Sequence, residues 1–201
     1  QDIGLSYEYS QWIQIVLDSS IADVYGNLLQ TVISDSFAYD VSNPFAFSPY
    51  PASNSFASNL QPDISVMIAD SISYLEPDSI RLTVQGTTYS VSDDTLIWNV
   101  TDSTLTFSSS SAGITFSDGD SVSVSLTAYD HIDLGLPHPL EQQPYEWSFG
   151  ISLGGPTTQI ISPISQLITT DSLQVITLNI SDPNGVDTTT INLTVADSIY
   201  T

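Results

Sequence analysis

Residues 68–90 read IADSISYLEPDSIRLTVQGTTYS, and residues 180–201 read ISDPNGVDTTTINLTVADSIYT. The two stretches are copies of one pattern. Asp182 stands 112 residues after Asp70 and Tyr200 stands 111 after Tyr89, a period of about 111 with one small deletion. In the first copy Ile80, Leu82 and Val84 alternate with polar residues, and the second keeps this as Ile191, Leu193 and Val195. Period-two alternation puts successive side chains on opposite faces of a strand, so each copy predicts one half-buried β-strand. Gln85-Gly86-Thr87-Thr88 then reads as a tight turn into a short strand around Tyr89. Repetition at domain-sized spacing implies an array of similar domains.

Working outward, strand patterns continue and no convincing amphipathic helix is found. Asp118-Gly119-Asp120 is a turn that feeds Val122, Val124 and Leu126, and Ile13, Ile15 and Leu17 form the equivalent face near the N-terminus. The aromatic strand Tyr145-Glu146-Trp147-Ser148-Phe149 has its counterpart in Ser36-Phe37-Ala38-Tyr39. Asn43-Pro44 and Gly154-Gly155-Pro156 mark borders. The expected division is a complete domain at 44–156, the closing part of a domain at 1–43, and the opening part of the next at 157–201. Thr201 read into Gln1 makes a shorter second domain, which lacks what the middle copy carries at Thr104–Ser121. Both sizes suit a β-sandwich of about seven strands. The expected fold class is all-β: tandem Ig-like sandwiches, one complete and one split between the chain ends, completed by residues 1–43 of a neighbouring copy.

The run Asp78-Ser79-Ile80-Arg81-Leu82-Thr83-Val84-Gln85-Gly86-Thr87-Thr88-Tyr89, followed by Asp118-Gly119-Asp120-Ser121-Val122-Ser123-Val124-Ser125-Leu126, carries a resemblance. It resembles the bacterial Ig-like domains of surface-layer proteins, adhesins and giant extracellular repeat proteins. Ile21-Ala22-Asp23-Val24-Tyr25-Gly26-Asn27-Leu28 is similar to the closing motif of those domains. The resemblance implies architecture and not activity, because Ig-like sandwiches host many unrelated functions.

Charge narrows the partners. The 201 residues include 23 acidic side chains and one Lys or Arg, which is Arg81, for a net charge of −22. Phosphate binding needs Lys and Arg, so nucleic acid is excluded as a partner and an anionic membrane surface is disfavoured. Mutual repulsion of so many carboxylates is relieved by high ionic strength or by divalent cations, and both point outside the cell. The chain has no cysteine, hence no disulfide, thiolate site or thiol nucleophile. No apolar run approaches the roughly 18 residues of a membrane span.

General acid–base chemistry has little to draw on, since only His131 and His138 are present and Lys is absent. The expectation is a protein that is not an enzyme. Both histidines lie in the Pro-rich stretch Tyr129–His138, which reads either as a metal or catalytic loop of Asp130, His131, Asp133 and His138, or as an exposed loop whose Asp and Pro shape turns. Calcium, the candidate cofactor, prefers several hard oxygens in a flexible loop. Asp182, Asn184 and Asp187 around Gly185 offer such oxygens, and Asp70 to Asp78 is the counterpart in the middle copy. The same Asp-Pro-Asn-Gly run is also a strong plain turn. Glycosylation sequons begin at Asn99, Asn179 and Asn192, each alternating with apolar neighbours and so expected to face outward. Trp12, Trp98 and Trp147 read either as core or as a sugar-stacking platform.

These readings converge on an extracellular, cell-surface structural repeat of a microbial stalk, giant adhesin or filament. Its expected partners are copies of itself head to tail; the alternative is a carbohydrate-binding module with glycans as partners. Because Arg81 sits in a predicted strand and is the one tryptic site, the folded protein should resist trypsin. Digestion followed by gel electrophoresis checks this, and rapid loss of the native band would contradict it.

Overall fold

The computed structural model describes residues 4–200 and is all-β; the Thr201–Gln1 join expected from the repeat lies outside the described residues. An N-terminal hairpin, β1 (Gln11–Leu17) and β2 (Ile33–Tyr39), leads into β3 (Phe45–Tyr50), β4 (Phe56–Ala57), β5 (Asp63–Ala69), β6 (Arg81–Val84) and β7 (Thr87–Ser90). Then come β8 (Leu96–Asn99), β9 (Thr104–Ser108), β10 (Ser121–Thr127) and β11 (Tyr145–Ile151). The C-terminal segment forms the hairpins β12 (Thr157–Ser162) with β13 (Thr177–Ser181) and β14 (Leu193–Val195) with β15 (Ser198–Tyr200). Two short 3₁₀ turns, Pro77–Ser79 and Thr188–Thr190, are the helical pieces among the described residues.

Strands β3 to β11 make two sheets, ordered β3-β5-β9-β8 and β4-β11-β10-β6-β7. A four-stranded sheet facing a second sheet whose middle strands come late in the chain is the Greek-key arrangement of the Ig sandwich. The register explains the core. Val124 sits opposite Val84 and Trp147, Leu126 opposite Leu82, and Val122 opposite Phe149. On the facing sheet Ile64 pairs with Phe107 and Val66 with Leu105. Each strand thus turns its apolar set to one side, and those residues are buried while their neighbours in sequence reach solvent. Burying a side chain of this size contributes about 1.5–3 kcal/mol.

The edge strand β4 runs parallel to β11, Phe56 opposite Gly150. Ser55 O accepts from Gly150 N at 2.8 Å, Ala57 O from Ser152 N at 2.9 Å, and Asn54 N donates to Ser148 O at 2.8 Å. The Phe56 ring packs against Gly150, where a Cβ would come within 2.5 Å of it.

The repeated stretch folds the same way twice. Both copies run from a 3₁₀ turn into a strand and then a two-residue hairpin, with Val84 opposite Thr87 and Val195 opposite Ser198. The turn residues Gln85 and Gly86 have φ of 48° and 80°, and Ala196 and Asp197 have 47° and 68°. Two successive left-handed residues match the twist of the flanking strands, as a type I′ hairpin requires.

Burial separates the segments. Every buried apolar residue among those described lies between Pro44 and Ile151. Ile15 and Leu17 of β1 remain 50% and 44% exposed, although Leu126 on the equivalent strand is at 0%. Among the described residues, the flanking segments therefore carry core-type patterns without a second sheet to cover them. Leu126→Ala is expected to cost about 2–5 kcal/mol, whereas Ile15→Ala in the isolated chain should change stability by less than about 0.5 kcal/mol. Denaturant melts of the two variants measure the contrast; equal losses would mean that β1 is packed after all.

Candidate functional site

The best-constructed polar site grows from the end of β10. Past Thr127 the chain keeps inward–outward alternation, so Ala128 and then Asp130 point inward, and both are fully buried. The Pro- and Gly-containing loop that follows returns to β10, with Tyr129 bridged to Pro139 and Leu140 N donating to Ala128 O at 3.1 Å. Asp130 fastens its base. Asp130 N donates to His138 O at 3.1 Å, His138 N donates to Asp130 Oδ1 at 2.5 Å, and His138 Nδ1 meets Asp130 Oδ2 at 2.7 Å. A buried carboxylate is costly unless its oxygens are bonded and its charge is met.

A second carboxylate comes from the N-terminal segment. The chain leaves β2 at Tyr39 and is pinned to the sandwich: Asn43 Nδ2 donates to Pro139 O at 2.8 Å, and Glu141 N to Pro44 O at 2.9 Å. This places Asp40 beside the β10–β11 loop. Donor atoms of Asp40, Asp130 and His138 all lie within 4.8 Å of one another. Asp40 Oδ1 accepts from Ser10 Oγ at 3.0 Å and from Ser42 N at 2.9 Å. Burial pushes the Asp40 carboxyl up, but hydrogen bonds from Ser42 and Ser10 help to outweigh it and hold the group below the ordinary carboxylate value.

Asp70 borders the same cluster. Its Oδ1 accepts from Ile72 N and Ser73 N, both at 2.9 Å, and from Ser73 Oγ at 3.1 Å; that hydroxyl is also 3.5 Å from Asp130 Oδ2. The Oδ2 atoms of Asp40 and Asp70 are buried without a hydrogen-bond partner. Two carboxylates and an imidazole converging in this way can hold a divalent cation.

The loop read as one group divides in two. His131 joins Glu76 through Nδ1 (2.8 Å) and Asp133 through Nε2 (3.1 Å), and stacks on Tyr74 at 4.6 Å, apart from the Asp130–His138 pair. The alternative of an exposed, turn-shaping loop holds for Asp133, which is exposed, and fails for Asp130. The residue that sequence reasoning missed is Asp40. Its one signal was its place just before the Asn43-Pro44 border, and its partners lie far along the chain.

The other expected sites are spread out. Asp182 Oδ1 accepts from Asn184 N at 2.8 Å and Asp187 Oδ1 from Thr189 N at 3.0 Å, so both carboxylates cap their own turns. Asn184 Nδ2 reaches across to Asp118 Oδ1 at 3.2 Å. Beside that contact Gly119, at φ +88°, lies so near Pro183 that a Cβ would approach the proline Cβ to 2.8 Å. Asp78 is exposed in its 3₁₀ turn, where its carbonyl oxygen accepts from Arg81 Nη1 at 2.8 Å. Asn99, Asn179 and Asn192 are all exposed, in the orientation expected of sequons. Trp147 is buried, Trp98 packs partly against the core, and Trp12 is 63% exposed.

No protein-family model and no curated protein matches the chain. Among solved structures, the endo-beta-1,4-mannanase from Thermotoga petrophila is similar over 56% of this chain at 12% identity, with a TM-score of 0.37. The matched part spans 20% of that mannanase.

Hydrogen bonds from Glu76, then Asp133, hold the His131 pKa above its ordinary 6.5. The folded protein therefore binds this proton more tightly than the unfolded chain. The resulting stability is fully present below about pH 6.5 and fades as pH rises through the raised value. Glu76→Gln should bring the His131 midpoint back toward 6.5 in an NMR titration of the imidazole. An unmoved midpoint would show that Glu76 is not the cause.

Proposed function

We propose that this chain is a structural repeat unit of an extracellular microbial stalk, giant adhesin or filament, assembling head to tail by domain completion. One observation carries the reading: strands that are buried in the central sandwich have exposed counterparts in the flanking segments. The N-terminal segment offers equivalents of β10 and β11. The C-terminal segment offers equivalents of β3, β5, β6 and β7, in the same order and with the same type I′ hairpin. In the central domain β10 lies between β6 and β11. By analogy β1 of one copy lies beside β14 of the next, so that Ile13, Ile15 and Leu17 meet the face of Leu193 and Val195.

Such an assembly satisfies two needs at once. It pairs the open edges of β1 and β14, whose main-chain groups otherwise face water, and it covers apolar faces that a half-sandwich leaves exposed. The strongly acidic surface keeps completed domains from associating laterally, so growth is confined to the ends. The role is mechanical: to extend and to present.

Two copies joined covalently, Thr201 to Gln1, test this directly. The joined protein should gain one cooperative unfolding transition absent from the single chain, with β1 newly protected from hydrogen exchange. If it melts as two independent single chains, domain completion is wrong.

A further inference from the structure

We propose that Asp40, Asp130 and His138 bind a divalent metal ion that ties the N-terminal segment to the central sandwich. This goes beyond the head-to-tail reading, because the site lies within one chain and forms whether or not copies assemble.

Geometry comes first. Donor atoms mutually within 4.8 Å need only small movements to close around one ion at the usual distances of about 2.0–2.2 Å. Charge is the second argument. Asp130 is wholly buried, and half-buried Asp40, which accepts from Ser10 and Ser42, stands next to it. The sequence contains a single Lys or Arg to offset them, and that Arg81 donates to the carbonyl oxygens of Asp78 and Ile80 instead. Asp130 meets the His138 imidazole at 2.7 Å, and a divalent cation seated between Asp130 and half-buried Asp40 would offset the second carboxylate as well.

The third argument is independent of the clustering. Asp40 Oδ2 is shut off from solvent and receives no hydrogen bond, and Asp70 Oδ2 at the border of the cluster is in the same state. A buried carboxylate oxygen without a donor is a costly arrangement, and metal ligation removes the cost.

The donor set also points to the kind of ion. Carboxylates alone would suit calcium, whereas an imidazole among them favours first-row ions such as Zn²⁺ or Mn²⁺. Ser73 and Asp70 are the adjacent groups that orient the ligands, Ser73 by donating to Asp70 and standing 3.5 Å from Asp130. Because Asp40 belongs to one segment and Asp130 and His138 to another, the ion would lock their relative orientation.

The full chain, freed of metal by a chelator, is titrated with ZnCl₂, MnCl₂ and CaCl₂ by calorimetry and by thermal melting. One Zn²⁺ or Mn²⁺ should bind per chain and raise the midpoint by about 5 °C or more at a hundredfold excess over Kd. Calcium should bind at least about tenfold more weakly. Asp40→Asn and His138→Gln should each weaken binding by about tenfold or more, while His131→Gln leaves it unchanged. Asp40→Asn alters a residue outside the central sandwich, so it decides the matter if His138→Gln does not fold. Melts that ignore the ions, or affinities unaltered by Asp40→Asn, would overturn the site; calcium binding as tight as zinc would overturn the choice of ion.

Discussion

A sheet with one apolar face is stable only when another layer covers it, and that requirement organises this chain. In the central sandwich β10 meets it completely: Val122, Val124 and Leu126 are paired sideways with residues of β6 and β11 and covered by the facing sheet. Among the described residues, the same alternation in β1 finds one neighbouring strand and no layer above it. Sequence pattern decides which face of a strand is apolar. Only the supply of a second layer decides whether that face becomes core.

The parts of the fold that were legible in the sequence depend on short-range geometry. Ile80, Leu82 and Val84 alternate, Gln85-Gly86 turns, and the copy at Ile191 repeats both; no distant information is needed to read a hairpin from them. The all-β class followed from many such local patterns. Asp130 and His138 stand together in one reading of the Tyr129–His138 stretch, as a metal or catalytic loop; the part of Asp40 was not legible, because nothing in the sequence near Asp130 indicates that the linker before Pro44 folds over it. The other reading makes Asp130 a turn residue, since Asp, Pro and Gly are the usual vocabulary of turns. What distinguishes it is its phase: it continues the inward alternation of β10 through Ala128, a pattern hidden because the inward residue is charged. The Asp182 and Asp187 carboxylates show the converse, oxygen-rich residues occupied with capping their own backbone.

Acidity acts differently at different depths. On the surface, carboxylates are hydrated and screened within about 8–10 Å, and they chiefly keep molecules apart. At the junction near Pro44 the carboxylates are half-buried or, for Asp130, wholly buried, and there the same charges interact more strongly. With Lys absent and a single Arg engaged elsewhere, serine hydroxyls, backbone amides and histidine take over the work of satisfying them. The shortage of basic residues thus shapes the interior as much as the surface.

The parallel pairing of β4 with β11 has a consequence for load. The chain enters the sandwich at β3 and leaves it after β11, so tension on the two flanking segments draws β4 backward and β11 forward. Strands that run parallel and are pulled oppositely slide along their length. The bonds from Asn54 to Ser148, Gly150 to Ser55 and Ser152 to Ala57 would then be stressed together and not peeled apart singly. Under such load the small two-residue strand would act as a shear clamp, with the Phe56 ring packed against Gly150 at its centre.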